Sequence, residues 1–550
     1  MKEDSERNKE VNSCRMNPYI TWVPIIFVLL LATSMTLFPD AFGTILFDLQ
    51  KIAVDDLGIL MMILDLVCII IAIYWALSKY GRIKLGDLEK PKYSNLSWGG
   101  MIFTSTMAAD LIYWALFEWI YYYMDSPLGI DAGTRTVSQT RDIVSAYSLF
   151  HWGPLNWIFA ILPGAIYAFM IYVKKRSKEN ISEACRPVLG KRVDGWVGTL
   201  IDILCVVANF MCCSIWLRVG VPIMASLASS VFGVPDTTMT QIAILIIIWL
   251  IYTVVTVIGM KAIKVISDIG MYLYIAILAI FFLFGPIRYI VESSYTSIGY
   301  VVQNYLSMST WMDPLRLTAG DNGMGFPQNW TVFFIANCLI AISVVPFFIA
   351  KISEGRTIRN VILGGLLAGC MGTCSSFMVM SNFTIYQQMT GYKDYISMVK
   401  EGMKEAQVIV EVVKTIPIST VLIIIILVCM AFLFVTTLDA YTLVISGFTQ
   451  CNRACGQETD LKGRLFAAVA LYITPIAVTL VNTSLEQMKA LITLTSYPMG
   501  VLLIIILIGF RRDLKKVDID HYDPAVGIDP RIFDDEYADD AISHEAAEAH

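Results

Sequence analysis

Tyr19-Ile20-Thr21-Trp22-Val23-Pro24-Ile25-Ile26-Phe27-Val28-Leu29-Leu30-Leu31-Ala32-Thr33-Ser34-Met35-Thr36-Leu37-Phe38 contains no charged side chain. Wound as an α-helix, a run of this length covers about 30 Å, the thickness of the hydrocarbon layer of a bilayer. Only a helix or a closed barrel satisfies every backbone polar group without water. The apolar residues follow one another without the strict alternation of a barrel strand, so the run reads as a membrane-spanning helix. It follows a charged, polar leader and is too long for the core of a cleavable signal.

The pattern repeats outward from this run. Further spans are predicted at approximately 57–78, 99–124, 144–173, 198–224, 239–260, 263–292, 329–350, 361–385, 416–447, 464–483 and 487–510, twelve in all. Of the 550 residues, 57% are apolar, and the mean hydropathy is +0.65; both values are far from those of a water-soluble domain. The fold class is therefore an all-α polytopic membrane protein. Segment 293–328 mixes Tyr, Ser and Trp with Val and Leu and ends in a Gly/Pro-rich stretch. It is predicted to be an amphipathic interfacial helix followed by a loop.

Charge sets the orientation. Basic residues concentrate in the even-numbered loops, as in Arg82, Lys84, Lys90 and Lys92, in Lys174, Lys175 and Arg176, and in Arg453, Lys462 and Arg464. They recur at the final exit, Arg511 to Lys516. Loops rich in Lys and Arg stay in the cytoplasm, so both termini, including the 1–18 tail, are expected there. The formal net charge of −6 owes much to acids in segment 511–550, which reads as a disordered, solvated tail. The twelve cysteines fall mostly inside apolar runs, and Cys451 and Cys455 have no nearby histidine to complete a zinc pattern. No nucleophile–base pair or metal cluster is evident, so neither an enzyme nor a cofactor is expected.

A charged side chain at the centre of a bilayer helix costs at least ~2.5–3.5 kcal/mol, which makes each intramembrane acid a candidate functional group. Asp110 closes the run Thr104-Ser105-Thr106-Met107-Ala108-Ala109-Asp110 in the third span. Small and hydroxyl residues allow a helix to open, and the freed carbonyls can hold a cation. Asp110 is accordingly read as a proton carrier or a counter-charge, against the alternative of a packing salt bridge. Glu118 lies two turns on, and Asp439 follows Thr436 and Thr437 in the tenth span. Membrane threonines usually bond back to their own helix. Asp65, Asp202, Asp268 and Asp439 receive no role. Aromatics gather in Tyr113, Trp114, Trp119 and Tyr121 to Tyr123, and Trp152 and Trp157 flank a Gly153-Pro154 break. Ring faces of this kind attract a methylated ammonium by about 0.5–2 kcal/mol each.

Three segments, Ala146 to Pro154, Gly325 to Phe333 and Ala350 to Arg359, resemble the betaine/carnitine/choline transporter family. The Tyr121–Tyr123 and Phe150-His151-Trp152 segments look most like its carnitine/γ-butyrobetaine branch. The resemblance implies a LeuT-type fold with two peripheral helices (19–98) and two inverted repeats, spans 3–7 (99–292) and 8–12 (329–510). It also implies a homotrimer in a bacterial-type inner membrane and no nucleic-acid partner. By resemblance, Tyr121, Trp152 and Trp157 form the aromatic box, and Trp330 is the outer tryptophan. Asn337 and Cys338 stand where the family carries box tryptophans, and Ala341 replaces another aromatic. Together with Asp110 they complete the expected substrate set. Asp110 falls on the acid of proton-using choline members, Thr436 and Thr437 match the sodium-binding hydroxyl pair, and Met107 lies in the opened stretch, so these four form the expected coupling site. Gly270 occupies the position of the arginine found in sodium-independent exchangers. The expected function is cation-coupled symport of a small quaternary or methylated amine. A carnitine-type substrate/product exchanger and a non-transporting membrane sensor are the alternatives.

Overall fold

The structure, a computed structural model, describes residues 16–105, 109–125, 137–176, 178–258, 260–320, 322–450, 461–481 and 483–536. Met107, Cys451 and Cys455, named above, lie outside the described residues. The described residues are mostly helical, with loops between the helices, and form a polytopic membrane protein. Among the described residues, ten helices are long and apolar enough to cross a bilayer, or eleven if one bent pair counts as a single span.

The first two are α1 (Pro18–Leu37) and α2 (Gly58–Leu77). Asn17 caps α1, its side-chain oxygen accepting from the amides of Tyr19 and Ile20, and Pro18 takes the first helical position, where no amide hydrogen is needed. The third predicted span, 99–124, is two shorter helices, α3 (Asn95–Ser105) and α4 (Leu111–Asp125), with Ala109 and Asp110 in a turn before α4. That turn closes the small-residue run, where low side-chain bulk and backbone-competing hydroxyls weaken helix propagation.

Next come α5 (Val137–His151) and α6 (Pro154–Tyr172). They meet at Gly153, where any β-carbon would lie 2.5 Å from the carbonyl oxygen of Leu149. Only glycine fits that corner, and Pro154 then restarts the helix. The long α7 (Trp196–Phe232) ends at Gly233 in the left-handed region, φ +69°. It is followed by α8 (Thr238–Ile258), α9 (Met260–Phe284) and α10 (Ile287–Thr310), the last lying in the mixed segment before a described loop. α11 (Pro327–Ser343) and α12 (Val345–Ile352) are bent by 57°. The chain closes with α13 (Asn360–Met389), α14 (Ser419–Thr449), α15 (Leu461–Leu480) and α16 (Leu485–Lys516).

Packing is closest between α6 and α12, between α9 and α14, and between α5 and α10. α7 runs through the centre, against α1, α14, α15 and α16. Outward faces stay apolar, with Ile246, Leu250, Val254 and Val257 of α8 all exposed, as expected for a surface that meets lipid.

Two expectations need correction. Segment 511–550 is not uniformly a disordered tail. Arg511 to Lys516 continue α16, and the next stretch folds back onto the bundle. The Tyr522 hydroxyl accepts from the Lys84 amide at 2.9 Å, Asp520 pairs with Lys79, and Phe533 is buried against Phe169. Acid and ring residues too sparse to form a core of their own find basic and apolar partners already fixed by the bundle. Arg464, counted above as a loop cation, is buried in the first turn of α15.

Candidate functional site

The break before α4 directs Asp110 inward. Its residue is 5% exposed, and no basic side chain pairs with it among the described residues. Cys212 of α7, Tyr274 of α9 and Tyr441 of α14 lie within electrostatic reach. The carboxyl hydrogen-bonds Trp114 of α4 and lies near three other helices. Thr436 donates to the carbonyl of Leu433 at 2.9 Å, one turn back in α14, the ordinary behaviour of a membrane threonine. Thr437 is half-buried beside it. Gly270 packs on α14: a β-carbon there would lie 3.4 Å from side-chain atoms of Phe432 and Leu433.

The other acids separate by their partners. Asp439 and Arg464 form a buried ion pair at 2.9 Å. Asp202 accepts from Asn180 and Ser182, each at 3.1 Å. Asp268 is exposed, and Asp65 is buried in α2 with one carboxyl oxygen unbonded.

Ring residues fall into two clusters. In the first, Trp152 stacks on Phe377 at 5.3 Å and contacts Phe334 and Trp114 at 5.5 and 6.3 Å. Its indole donates to Glu118 at 2.7 Å. Glu118 is wholly buried, and its second oxygen has no hydrogen-bond partner. Position 118 lies two turns after Asp110; Trp114 and Glu118 are carried by α4, and Asp110 sits in the turn that leads into it.

The second cluster centres on Trp330 of α11. Tyr121 lies 4.9 Å from it and Tyr122 5.4 Å, centroid to centroid. The Trp330 indole donates to Asp125 at 2.6 Å. Tyr121 and Tyr113 share a hydroxyl–hydroxyl bond of 2.7 Å, and Tyr121 donates to Glu405 at 3.3 Å. Between the clusters, His151 bonds Tyr122 at 2.7 Å and Thr331 at 3.0 Å. Its ring stacks on Phe334 at 4.8 Å.

The expected box is thus divided. Tyr121 and Trp330 meet; Trp152 belongs to the other cluster. Trp157 joins neither: its indole donates to Thr373 at 3.1 Å, and its ring lies so close over Gly369 that no β-carbon fits there. A tight helix crossing explains Trp157 better than ligand contact does. Cys338 donates to Asn156 at 3.0 Å. Asn337 is half-buried, with its side-chain oxygen unbonded.

Sequence reasoning left Trp114, Phe334 and Phe377 without a role. Trp114 follows Asp110 by one helical turn, and that spacing was available as a signal. Phe377 sits far away in sequence and carries no local mark. Lys489 was also passed over. It is a lone cation near the start of the last span, buried, with its ammonium 4.3 Å from the Trp330 ring centre.

The model of the betaine/carnitine/choline family transporters matches residues 19–518. An uncharacterized transporter of Escherichia coli (strain K12), YeaV, is 28% identical over 84% of this chain and 95% of its own. A carnitine transporter of Acinetobacter baumannii is 27% identical, covering 78% and 76%. An ectoine/hydroxyectoine transporter of Virgibacillus pantothenticus is also 27% identical, covering 92% and 98%. The family model covers nearly the whole of this helical, apolar chain, and the chain belongs to the betaine/carnitine/choline transporter family.

Proposed function

We propose that this protein is a secondary active transporter that carries a small quaternary or methylated amine solute together with a proton or sodium ion. The observation that carries the reading is Asp110, a buried carboxyl at a helix break with no basic partner among the described residues. A charge in that position is costly unless a cation meets it during the transport cycle. Helix breaks of this kind supply the irregular backbone that lines ion and solute sites in transporters. Trp152, with Trp114, Phe334 and Phe377 around it, offers ring faces to an ammonium group. Tyr121 and Trp330 form the outer approach. Relatives named for carnitine and for ectoine/hydroxyectoine transport favour a solute of that class.

Asn337 and Cys338 place amide and thiol groups beside this path, so the solute is held by hydrogen bonds as well as by rings. Thr436 and Thr437 supply hydroxyl oxygens if sodium is the partner; Asp110 alone serves a proton. The same reading takes twelve spans, counting α3 and α4 as one, arranged as two inverted repeats after two peripheral helices. It places both termini in the cytoplasm of a bacterial-type inner membrane and the chain in a homotrimer.

Reconstitution into liposomes tests this. Uptake of labelled glycine betaine, carnitine or choline is expected to rise when an inward proton or sodium gradient is imposed. Uptake indifferent to both gradients, and requiring preloaded substrate, would assign exchange instead.

A further inference from the structure

The indole that lies on the proposed approach path already carries a cation. Lys489 of α16 is buried, its side chain 1% exposed. Its ammonium lies 4.3 Å from the centre of the Trp330 ring and 5.7 Å from that of Phe333. It donates to the side-chain oxygen of Asn329 and pairs with Glu486 at 3.0 Å. Trp330 is further fixed by Asp125 at its indole nitrogen and by Tyr121 and Tyr122 against its ring, which leaves it 2% exposed.

We propose that Lys489 is a specificity-determining residue, a tethered ammonium that selects zwitterionic amine solutes over simple cations. The inference rests on the reading that Trp330 lies on the solute's path. A solute ammonium can reach that ring only by displacing Lys489, since both seek the same electron-rich face. A zwitterion brings an ammonium for the ring and a carboxylate for the released lysine, so charge stays balanced and a charge-assisted hydrogen bond replaces the one lost to Asn329. A plain cation brings no acceptor. It leaves two positive charges beside one indole, where Asp125 and Glu486 are already engaged, and that juxtaposition discriminates against the wrong partner.

Binding to the purified full-length protein tests the proposal, with tryptophan fluorescence or calorimetry as readout, glycine betaine as the zwitterion and choline as the cation. Wild type is expected to bind betaine at least about tenfold more tightly than choline. In Lys489→Met the two affinities converge to within roughly twofold, choline gaining most, and Lys489→Arg keeps the preference. An unchanged preference in folded Lys489→Met overturns the assignment. So does equal affinity for the two probes in wild type, a measurement that needs no variant to fold. If wild type binds neither probe, the amine-solute reading itself fails, which is distinct from failure of Lys489 alone.

Discussion

Asp110 and Asp439 are both aspartates in apolar helices, both beside small or hydroxyl residues, and both almost fully buried. They differ in what faces them. Asp439 has the guanidinium of Arg464 at 2.9 Å, supplied by the first turn of the next helix, α15. Asp110 hydrogen-bonds Trp114, lies within electrostatic reach of a thiol and two phenols, and has no basic partner among the described residues. One acid is neutralised permanently by the fold. The other has no fixed counter-charge among the described residues. An acid in a membrane helix therefore signals cost, and its partner decides whether the cost is met by architecture or by transport.

The contrast can be broken first at the paired site. Arg464→Met leaves Asp439 buried without its counter-charge and is expected to cost ~3–5 kcal/mol of stability. Thermal unfolding in detergent measures it, and the double variant Arg464→Met/Asp439→Leu should recover most of the loss, because an apolar pair fills the same space at no electrostatic cost. If Arg464→Met unfolds no earlier than wild type, the ion pair is not what holds α14 to α15, and the comparison fails.

Asp110→Asn sharpens the other side. The amide is isosteric and removes a charge that no fixed group balances, so stability should move by less than ~1 kcal/mol. Gradient-driven uptake should nevertheless fall by about 100-fold or more, read as initial rate in proteoliposomes. Retained gradient dependence in Asp110→Asn would remove this carboxyl from coupling.

A third pair marks the solvent-exposed limit of the same comparison. Asp194, half-exposed in the loop before α7, binds Arg186 at 2.6 Å. That hydrogen bond holds its carboxyl below the ordinary value. The folded state then releases its proton more readily than the unfolded chain. The stabilisation is present above the usual carboxylate range near about 4 and is lost as pH falls through the lower folded value. Water screens the pair, so its contribution is no more than ~1 kcal/mol. The gap in unfolding temperature between wild type and Asp194→Asn should be small at neutral pH and close as pH falls below that range.

The fate of the aromatic residues shows where sequence reading stops. Tyr121 and Trp330 were matched by motif and do meet at 4.9 Å. Trp157 was grouped with Tyr121 and Trp152 by resemblance, yet it turns toward α13 and packs over Gly369. Five positions along a helix that restarts at Pro154 are enough to point two indoles in different directions. Phe377 reached Trp152 from α13, and Lys489 reached Trp330 from α16. No local pattern announces such contacts, because each is made by helices distant in the chain.

Local chemistry along the chain was sufficient to establish a lipid-solvated helical bundle, the weak point before Asp110 and the family. Span length, missing charge and small-residue runs act within one or two helical turns, and the resembling motifs are contiguous. Tertiary structure alone decided which buried acid is neutralised, which indole faces a partner cation and where the residues after Lys516 come to rest. Those outcomes depend on which side chains from remote helices arrive within a few ångströms, and electrostatic and ring interactions that fall off so steeply with distance are fixed only once the helices have packed.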